Sequence, residues 1–257
     1  MPLEIVQIPV LNDNYVYLLR DAGSGAVGVV DPAVPEPVLA ELQKRGWQLT
    51  HILNTHHHGD HVGGNLALKE ATGCMIVGPK ADAGRIPGID LQLGDGDVWS
   101  LGGQQARIFD VPGHTKGHIA YWFADSRALF CGDTLFALGC GRLFEGTPAQ
   151  MWTSLRKFLS MPDDTRVYCA HEYTESNARF AVTVEPGNTA LTQRYAAIRD
   201  MRAAGRPTVP STIGEERATN PFLRPTSADL RATLGMPDAD DVAVFAETRK
   251  RKDGFRG

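Results

Sequence analysis

Apolar positions along the first two-thirds of this chain fall in short runs. Residues 4–8, 15–19, 27–30, 51–54, 75–77, 106–111, 119–123, 128–131 and 166–169 each form such a run, closed by Gly, Pro, Asn or Asp, which predicts buried β-strands. Between them, residues 35–45, 65–71 and 148–159 carry their apolar positions at helical spacing, and Pro148 after Thr147 suits the first turn of a helix. The mixture predicts an α/β or α+β architecture whose sheets are covered by helices.

Past about Tyr173 the texture changes. Residues 175–184, 189–204, 227–234 and 240–252 read as helices, no convincing strand follows, and the stretch 207–225, rich in Pro, Thr and Ser, is expected to be extended. The change divides the chain into residues 1–172 and a smaller helical domain, 173–257. No internal repeat or low-complexity tract interrupts either part.

Composition adds only limits. A length of 257 residues can bury a full core, and 42% hydrophobic with 22% charged residues excludes disorder without naming a function. The net charge of -4 supplies no basic field for a polyanion, so no nucleic-acid partner is expected. From Met1 to Asp13 there is neither a basic segment nor a long apolar one, and no transmembrane candidate follows, so a cytoplasmic protein without a membrane partner is expected. Cys74, Cys131, Cys140 and Cys169 form no CxxC pair and are expected to be buried, reduced thiols.

The chemistry concentrates where the run 51–54 ends, in His56-His57-His58-Gly59-Asp60-His61 followed by Gly63 and Gly64. In extended backbone, residues two apart point to one side, so His56 and His58 can reach one ion while His57 points away. Gly59, Gly63 and Gly64 are expected to permit the tight backbone that this crowding needs. Four candidate ligands within six residues exceed the needs of one ion that keeps a position open for water, which suggests two metals. Three more candidates follow other apolar runs: His114 in Val-Pro-Gly-His-Thr, Asp133 in Cys-Gly-Asp-Thr and His171 in Cys-Ala-His-Glu. His51, His57 and His118 are expected to be structural or to support the ligands.

This set, HxHxDH followed by separated His, Asp and His, resembles the metallo-β-lactamase superfamily over roughly residues 1–172. The resemblance implies an αβ/βα sandwich, with His56, His58 and His114 on one metal, Asp60, His61 and His171 on the other, and Asp133 bridging them. Asp60 and Asp133 would then be the carboxylates at the reacting centre. The expected ions are two zinc, with iron or manganese as alternatives, since His/Asp sites accept all three. Two ions of this kind can acidify a bridging water and polarise a carbonyl, which is the chemistry of acyl-transfer hydrolysis. No GxSxG elbow offers a serine nucleophile instead.

Further segments are similar to the glyoxalase II family, the hydroxyacylglutathione hydrolases: Thr55 to His61, Gly132 to Phe136, Gly139 to Thr147, Ala170 to Thr174, Val184 to Asn188, Pro207 to Thr212, Asn220-Pro221-Phe222 and Arg249 to Asp253. They cover nearly the whole chain. The resemblance implies hydrolysis of S-2-hydroxyacylglutathione thioesters, chiefly S-D-lactoylglutathione, to glutathione and D-lactate, the second step of methylglyoxal detoxification. It also implies that Arg142, Tyr173, Arg249 and Lys252 bind the glutathione part of this small-molecule substrate. A thiolate leaving group, from a thiol of pKa about 8.5, needs no strong general acid. Phe144 departs from the pattern, standing where several members carry a second tyrosine. A monomer is expected. The alternatives are another superfamily enzyme such as a persulfide dioxygenase, a nucleic-acid-processing member, or a non-catalytic metal-binding module.

Overall fold

A computed structural model describes residues 1–257, and their packing divides the chain into two compact units, 1–110 with 116–132, and 111–115 with 133–257. In the first unit the strands β1 (Glu4–Val10), β2 (Asn14–Arg20) and β3 (Val27–Val30) lead to helix α1 (Glu36–Arg45) and strand β4 (His51–Leu53). Helices α2 (Gly59–Val62) and α3 (Asn65–Thr72) follow, then strands β5 (Met75–Pro79), β6 (Leu91–Leu93), β7 (Val98–Leu101), β8 (Gln104–Asp110), β9 (Ile119–Phe123) and β10 (Ala128–Gly132). β1 to β6 hydrogen-bond in sequence order, antiparallel through β3 and parallel from β3 to β6. β7 to β10 form consecutive antiparallel pairs.

Parallel strands buried on both faces read as continuous apolar runs, and β3 and β4 show it in Val27, Val29, Ile52 and Leu53, all nearly inaccessible. On one side, Val38 and Leu42 of α1 and Leu68 of α3 join Val16, Leu18, Val29, Ile52 and Ile76 in a core cluster. On the other, Tyr17 of β2 meets Phe130 of β10 with ring centroids 5.6 Å apart. Tyr121 of β9 donates its hydroxyl to the Asn54 carbonyl at 2.9 Å. Each large apolar side chain so buried stabilises the fold by about 1.5–3 kcal/mol. Burial, and then the charge of Asp31, pushes the Tyr121 hydroxyl well above its ordinary pKa, so it stays a donor.

The second unit contains the hairpin β11 (Leu135–Phe136) and β12 (Gly139–Cys140), helix α4 (Pro148–Phe158), strand β13 (Arg166–Cys169) and helices α5 (Thr174–Val184) and α6 (Thr189–Ala203). It continues through β14 (Ser211–Thr212), α7 (Ile213–Thr219), α8 (Ala228–Leu234) and α9 (Asp241–Gly254). Leu138, Ala178, Ala181, Leu191 and Ile198 form one cluster, and Phe222 links Phe180 and Phe245 at centroid distances of 6.1 and 5.9 Å. The hairpin is held by the helical part: Asn220 donates to the carbonyls of Phe136 and Gly139 at 3.1 and 3.0 Å, and Glu216 accepts the Leu138 N–H at 2.8 Å.

Most expected elements are present within a residue or two of their limits, and Thr147 caps α4 with a reciprocal bond from Gln150, with Pro148 in the first turn as expected. Three expectations fail. The stretch 207–225 is not simply extended, because Thr212 and Glu215 form a capping box that starts α7. A strand does follow residue 173, since β14 pairs with β13 through Thr212 and Ser211. Gly59 is not needed for tightness, since a Cβ there would meet nothing within 4 Å, whereas one on Gly63 or Gly64 would lie 2.5 Å from the Ala33 carbonyl oxygen or 2.7 Å from that of Pro32. β6 and β7 went unexpected because their exposed positions break the apolar run. All four cysteines are buried, and no helix is long and apolar enough to cross a membrane.

Candidate metal centre

The donors of the first unit sit directly beyond β4. The chain leaves that strand extended, turns at His58, and enters α2, which places Asp60 and His61 in its single turn. The His56 and His58 rings approach with Nε2 and Nδ1 3.1 Å apart, and His61 Nε2 lies 3.4 Å from Asp60 Oδ2. His57 does point away, and its Nδ1 lies 3.0 Å from Asp82 Oδ2 while Arg85 donates to its Nε2 at 3.0 Å.

Hydrogen bonds set which nitrogen carries the proton in three of the candidate ligands, His56, His61 and His114. Asp31, which sequence reading missed, accepts from the Thr55 N–H at 2.7 Å and the Thr55 hydroxyl at 2.6 Å, and from His61 Nδ1 at 3.1 Å. His61 is therefore protonated on Nδ1, and its Nε2 is an acceptor. The Thr55 hydroxyl, its proton given to Asp31, accepts from His56 Nδ1 at 3.1 Å, which makes His56 Nε2 an acceptor too. Donor atoms of Asp31, His56 and His61 lie within 4.8 Å of one another, but the Asp31 oxygens are already occupied in orienting, which assigns it a supporting place. Asn14 donates to Asp60 Oδ2 at 3.0 Å and fixes that carboxylate in turn. Of the remaining histidines, His51 bonds Thr50 at 2.8 Å, and His118 bonds the Ile119 carbonyl at 3.0 Å while stacking on His56 at 4.6 Å.

In the second unit the same logic recurs. His114 Nδ1 donates to the Arg142 carbonyl at 2.9 Å, so its Nε2 is an acceptor, yet it lies 3.3 Å from Asp133 Oδ2. His171 Nε2 lies 3.4 Å from the other oxygen, Asp133 Oδ1. A lone pair facing a carboxylate oxygen is repulsive unless a cation stands with them. Ligand atoms about 2.0–2.1 Å from a shared tetrahedral ion are about 3.3 Å apart, the spacing seen in each of these pairs. One carboxylate with an oxygen toward each of two histidines is the arrangement expected of a bridge between ions. The residues present therefore fit divalent metal.

Around these donors, Tyr173 lies flat on His171 with centroids 4.7 Å apart and parallel planes, and the residue is 38% exposed. Phe144 packs at 5.2 Å from His114 and is also exposed. Arg249 is 5% exposed and spends its guanidinium on the Cys140 carbonyl at 3.0 Å and Asp253 at 2.8 Å. Lys252 donates to the Ser176 carbonyl at 3.2 Å. Its pKa is lowered to about 8 by burial first, then by the neighbouring charges of Arg249, Arg179 and Arg142, with Asp253 opposing.

The anchorage of His57 gives a direct test. A Cβ on Gly117 would lie 2.3 Å from Asp82 Cγ, and Asp82 cannot move aside because it holds both His57 and Arg85. Gly117→Ala should therefore destabilise the fold by about 1–3 kcal/mol, the usual range for overpacking, as read from a denaturant midpoint. A midpoint equal to that of the unaltered chain would show the contact to be soft.

Residues 11–171 match a family model described as the metallo-beta-lactamase superfamily, and residues 172–255 match one described as the hydroxyacylglutathione hydrolase C-terminus. A hydroxyacylglutathione hydrolase of Methylococcus capsulatus is 64% identical over 99% of this chain and 100% of its own length. Among solved structures, ETHE1 from Myxococcus xanthus is 25% identical with a TM-score of 0.67, covering 99% of this chain and all of that one. TTHA1623, solved in a di-iron-bound form, is 26% identical with a TM-score of 0.62 over 86% of this chain and all of that one.

Proposed function

Because this chain belongs to the hydroxyacylglutathione hydrolase family of the metallo-β-lactamase superfamily, we propose that it hydrolyses S-2-hydroxyacylglutathione thioesters, chiefly S-D-lactoylglutathione, to glutathione and the hydroxy acid. The fold is that superfamily's mixed arrangement of helices and sheets with a helical C-terminal part. We assign His56, His58 and His114 to one divalent ion, Asp60, His61 and His171 to the other, and Asp133 to both, with zinc the expected metal. Held there, the ions would supply Lewis acidity toward the thioester carbonyl and bring the pKa of water near neutrality.

The chain's own residues prepare the rest. Asp31 and Thr55 hold His61 and His56 in the tautomers that present Nε2, and the Arg142 carbonyl does the same for His114. Asn14 orients Asp60. Tyr173, laid over His171, offers an exposed ring and hydroxyl where the thiol end of the substrate would pass. Residues 173–257 would be the glutathione-recognising domain. Arg142 and Lys252 would meet the substrate's carboxylates, and Arg249, largely buried, would act by fixing Cys140 and adding charge behind Lys252.

The observation that carries this reading is the gathering of Arg142, Arg179 and Arg249 around Lys252, with Asp253 beside them, in a chain of net charge -4. Such an excess suits an anionic ligand such as glutathione with its two carboxylates. The match of residues 172–255 to a hydroxyacylglutathione hydrolase C-terminus favours this over a persulfide dioxygenase or a nucleic-acid-processing enzyme.

Protein loaded with zinc, iron or manganese should consume S-D-lactoylglutathione, followed by loss of thioester absorbance. No loss at micromolar protein would end the proposal. A pH profile tests the cation site separately. With Lys252 at about 8, its positive charge is present below that pH and lost above it, so kcat/KM should fall as pH rises through about 8. Lys252→Arg, which does not titrate in this range, should remove that limb. A limb near 8 that survives the substitution would belong to another group.

A further inference from the structure

Of the four cations in the second unit's cluster, two already have work inside the protein. Arg249 is tied to Cys140 and Asp253, and Lys252 is tied to Ser176 with its ammonium over the rings of Phe180 and Phe255, 5.6 Å from each centroid. Arg142 and Arg179 are different. Both are exposed, and neither guanidinium has an acidic partner or a hydrogen bond. Glu175, four residues before Arg179 and well spaced for an ion pair on a helix, makes none with it.

Arg179 stands on α5, three residues after Ser176, so both occupy one face of that helix. Ser176 is the residue whose carbonyl receives Lys252, and Phe180, next to Arg179, lies under the same ammonium. Tyr173, which precedes α5 and stacks on His171, stands about one turn before Ser176. The rise from Tyr173 to Arg179 is about 9 Å along the axis at 1.5 Å per residue. Two extended residues reach about 7 Å, the span from a cysteinyl sulfur to the far carboxylate of a tripeptide. The Arg179 side chain leans toward the N-terminus of α5, as helical side chains do, and its length covers the remainder, so a thioester whose sulfur lies by Tyr173 can bring a carboxylate to Arg179 and Lys252.

We propose that Arg179 is a specificity-determining residue of this enzyme, one that with Lys252 receives a terminal carboxylate of the glutathione moiety. The assignment rests on the glutathione-thioester reading given above. The pKa of Lys252 is lowered by burial first and then by Arg249, Arg179 and Arg142, and the repulsive part is relieved when a carboxylate sits between these cations. Arg179 thereby adds binding in a chain where Phe144 offers no hydroxyl.

Because the group is remote from the reacting carbonyl, its contact is equal in ground and transition states. Arg179→Ala should raise KM for S-D-lactoylglutathione about three- to tenfold with kcat unchanged, Arg179→Glu should raise it further, and Arg179→Lys should restore most of the loss. The difference between the Ala variant and the parent should shrink as salt is added. Inhibition by free glutathione should weaken in parallel, with the thermal midpoint unmoved because the side chain is exposed and unpaired. Unchanged KM and unchanged glutathione inhibition in Arg179→Glu would overturn the assignment. If the parent protein failed to consume the thioester, the activity reading would fall. Calorimetry of glutathione binding to the metal-loaded parent and to Arg179→Glu would still decide Arg179, equal affinities counting against it.

Discussion

Asp133→Ala is expected to lower turnover of the thioester at least about 10³-fold, the scale on which removal of one transition-state-stabilising group is felt, and to lower the metal content of the purified protein. The expectation comes from the way its two oxygens are divided, Oδ2 toward His114 at 3.3 Å and Oδ1 toward His171 at 3.4 Å. Alanine leaves the two histidines with no shared anionic partner, so neither ion would keep the carboxylate that neutralises part of its charge. Asp133→Asn is the finer variant: it keeps the shape and one oxygen but has no second anionic donor, and it should retain more metal than Ala while remaining far slower than the parent. Elemental analysis and kinetics on the same preparations decide the matter. A variant with full metal content and near-parent turnover would remove Asp133 from the bridging position.

The second large effect is expected at Asp31, which acts through Thr55 and His61. Its carboxylate satisfies two donors on Thr55 and one on His61 inside the protein, at 3% exposure. Asp31→Ala leaves these donors without an acceptor, at about 1–3 kcal/mol for each buried group that water cannot reach. A net loss of about 3 kcal/mol would lower Tm by about 6–12 °C in a chain of this size. Metal affinity, measured by competition with a chelator, should fall about 10–100-fold, because His61 would be free to present the wrong nitrogen. Asp31→Asn should recover part of the stability through its remaining oxygen, but that one oxygen cannot serve the Thr55 N–H as well as the two donors that share Oδ2 in the parent. Unaltered chelator competition in Asp31→Ala would mean that packing alone orients His61.

Much of the candidate site was legible because of where apolar runs must end. A strand buried on both faces is continuous in Val, Ile and Leu, and polar residues follow its end, as Asn54, Thr55 and His56 do after β4 and Asp133 does after β10. The exclusion of His57 followed from extended backbone alone and matches its turn toward Asp82. What could not be read was support that arrives from far along the chain. Asp31 reaches His61 across thirty positions and Asp82 reaches His57 across twenty-five, and neither lies in a spacing that announces a partner. Arg179 was passed over for a related reason: an arginine on an amphipathic helix looks like ordinary surface charge until α9 is seen to deliver Lys252 to the carbonyl of Ser176. α7 is the opposite case. Its signal was present in Thr212-Ile213-Gly214-Glu215, a capping-box spacing, but the prolines on either side masked it.

The grip of Asn220 and Glu216 on the backbone of the 135–140 hairpin bears on any attempt to recombine this enzyme with its relatives. A chimera joined at 172 would import a foreign helical half while leaving native carbonyls at Phe136 and Gly139 and a native N–H at Leu138 to find new anchors. A junction at 132 carries the hairpin along with its holders. Transplants cut there should keep those bonds intact, and the C-terminal half is better thought of as a graft with its own rootstock than as a cassette.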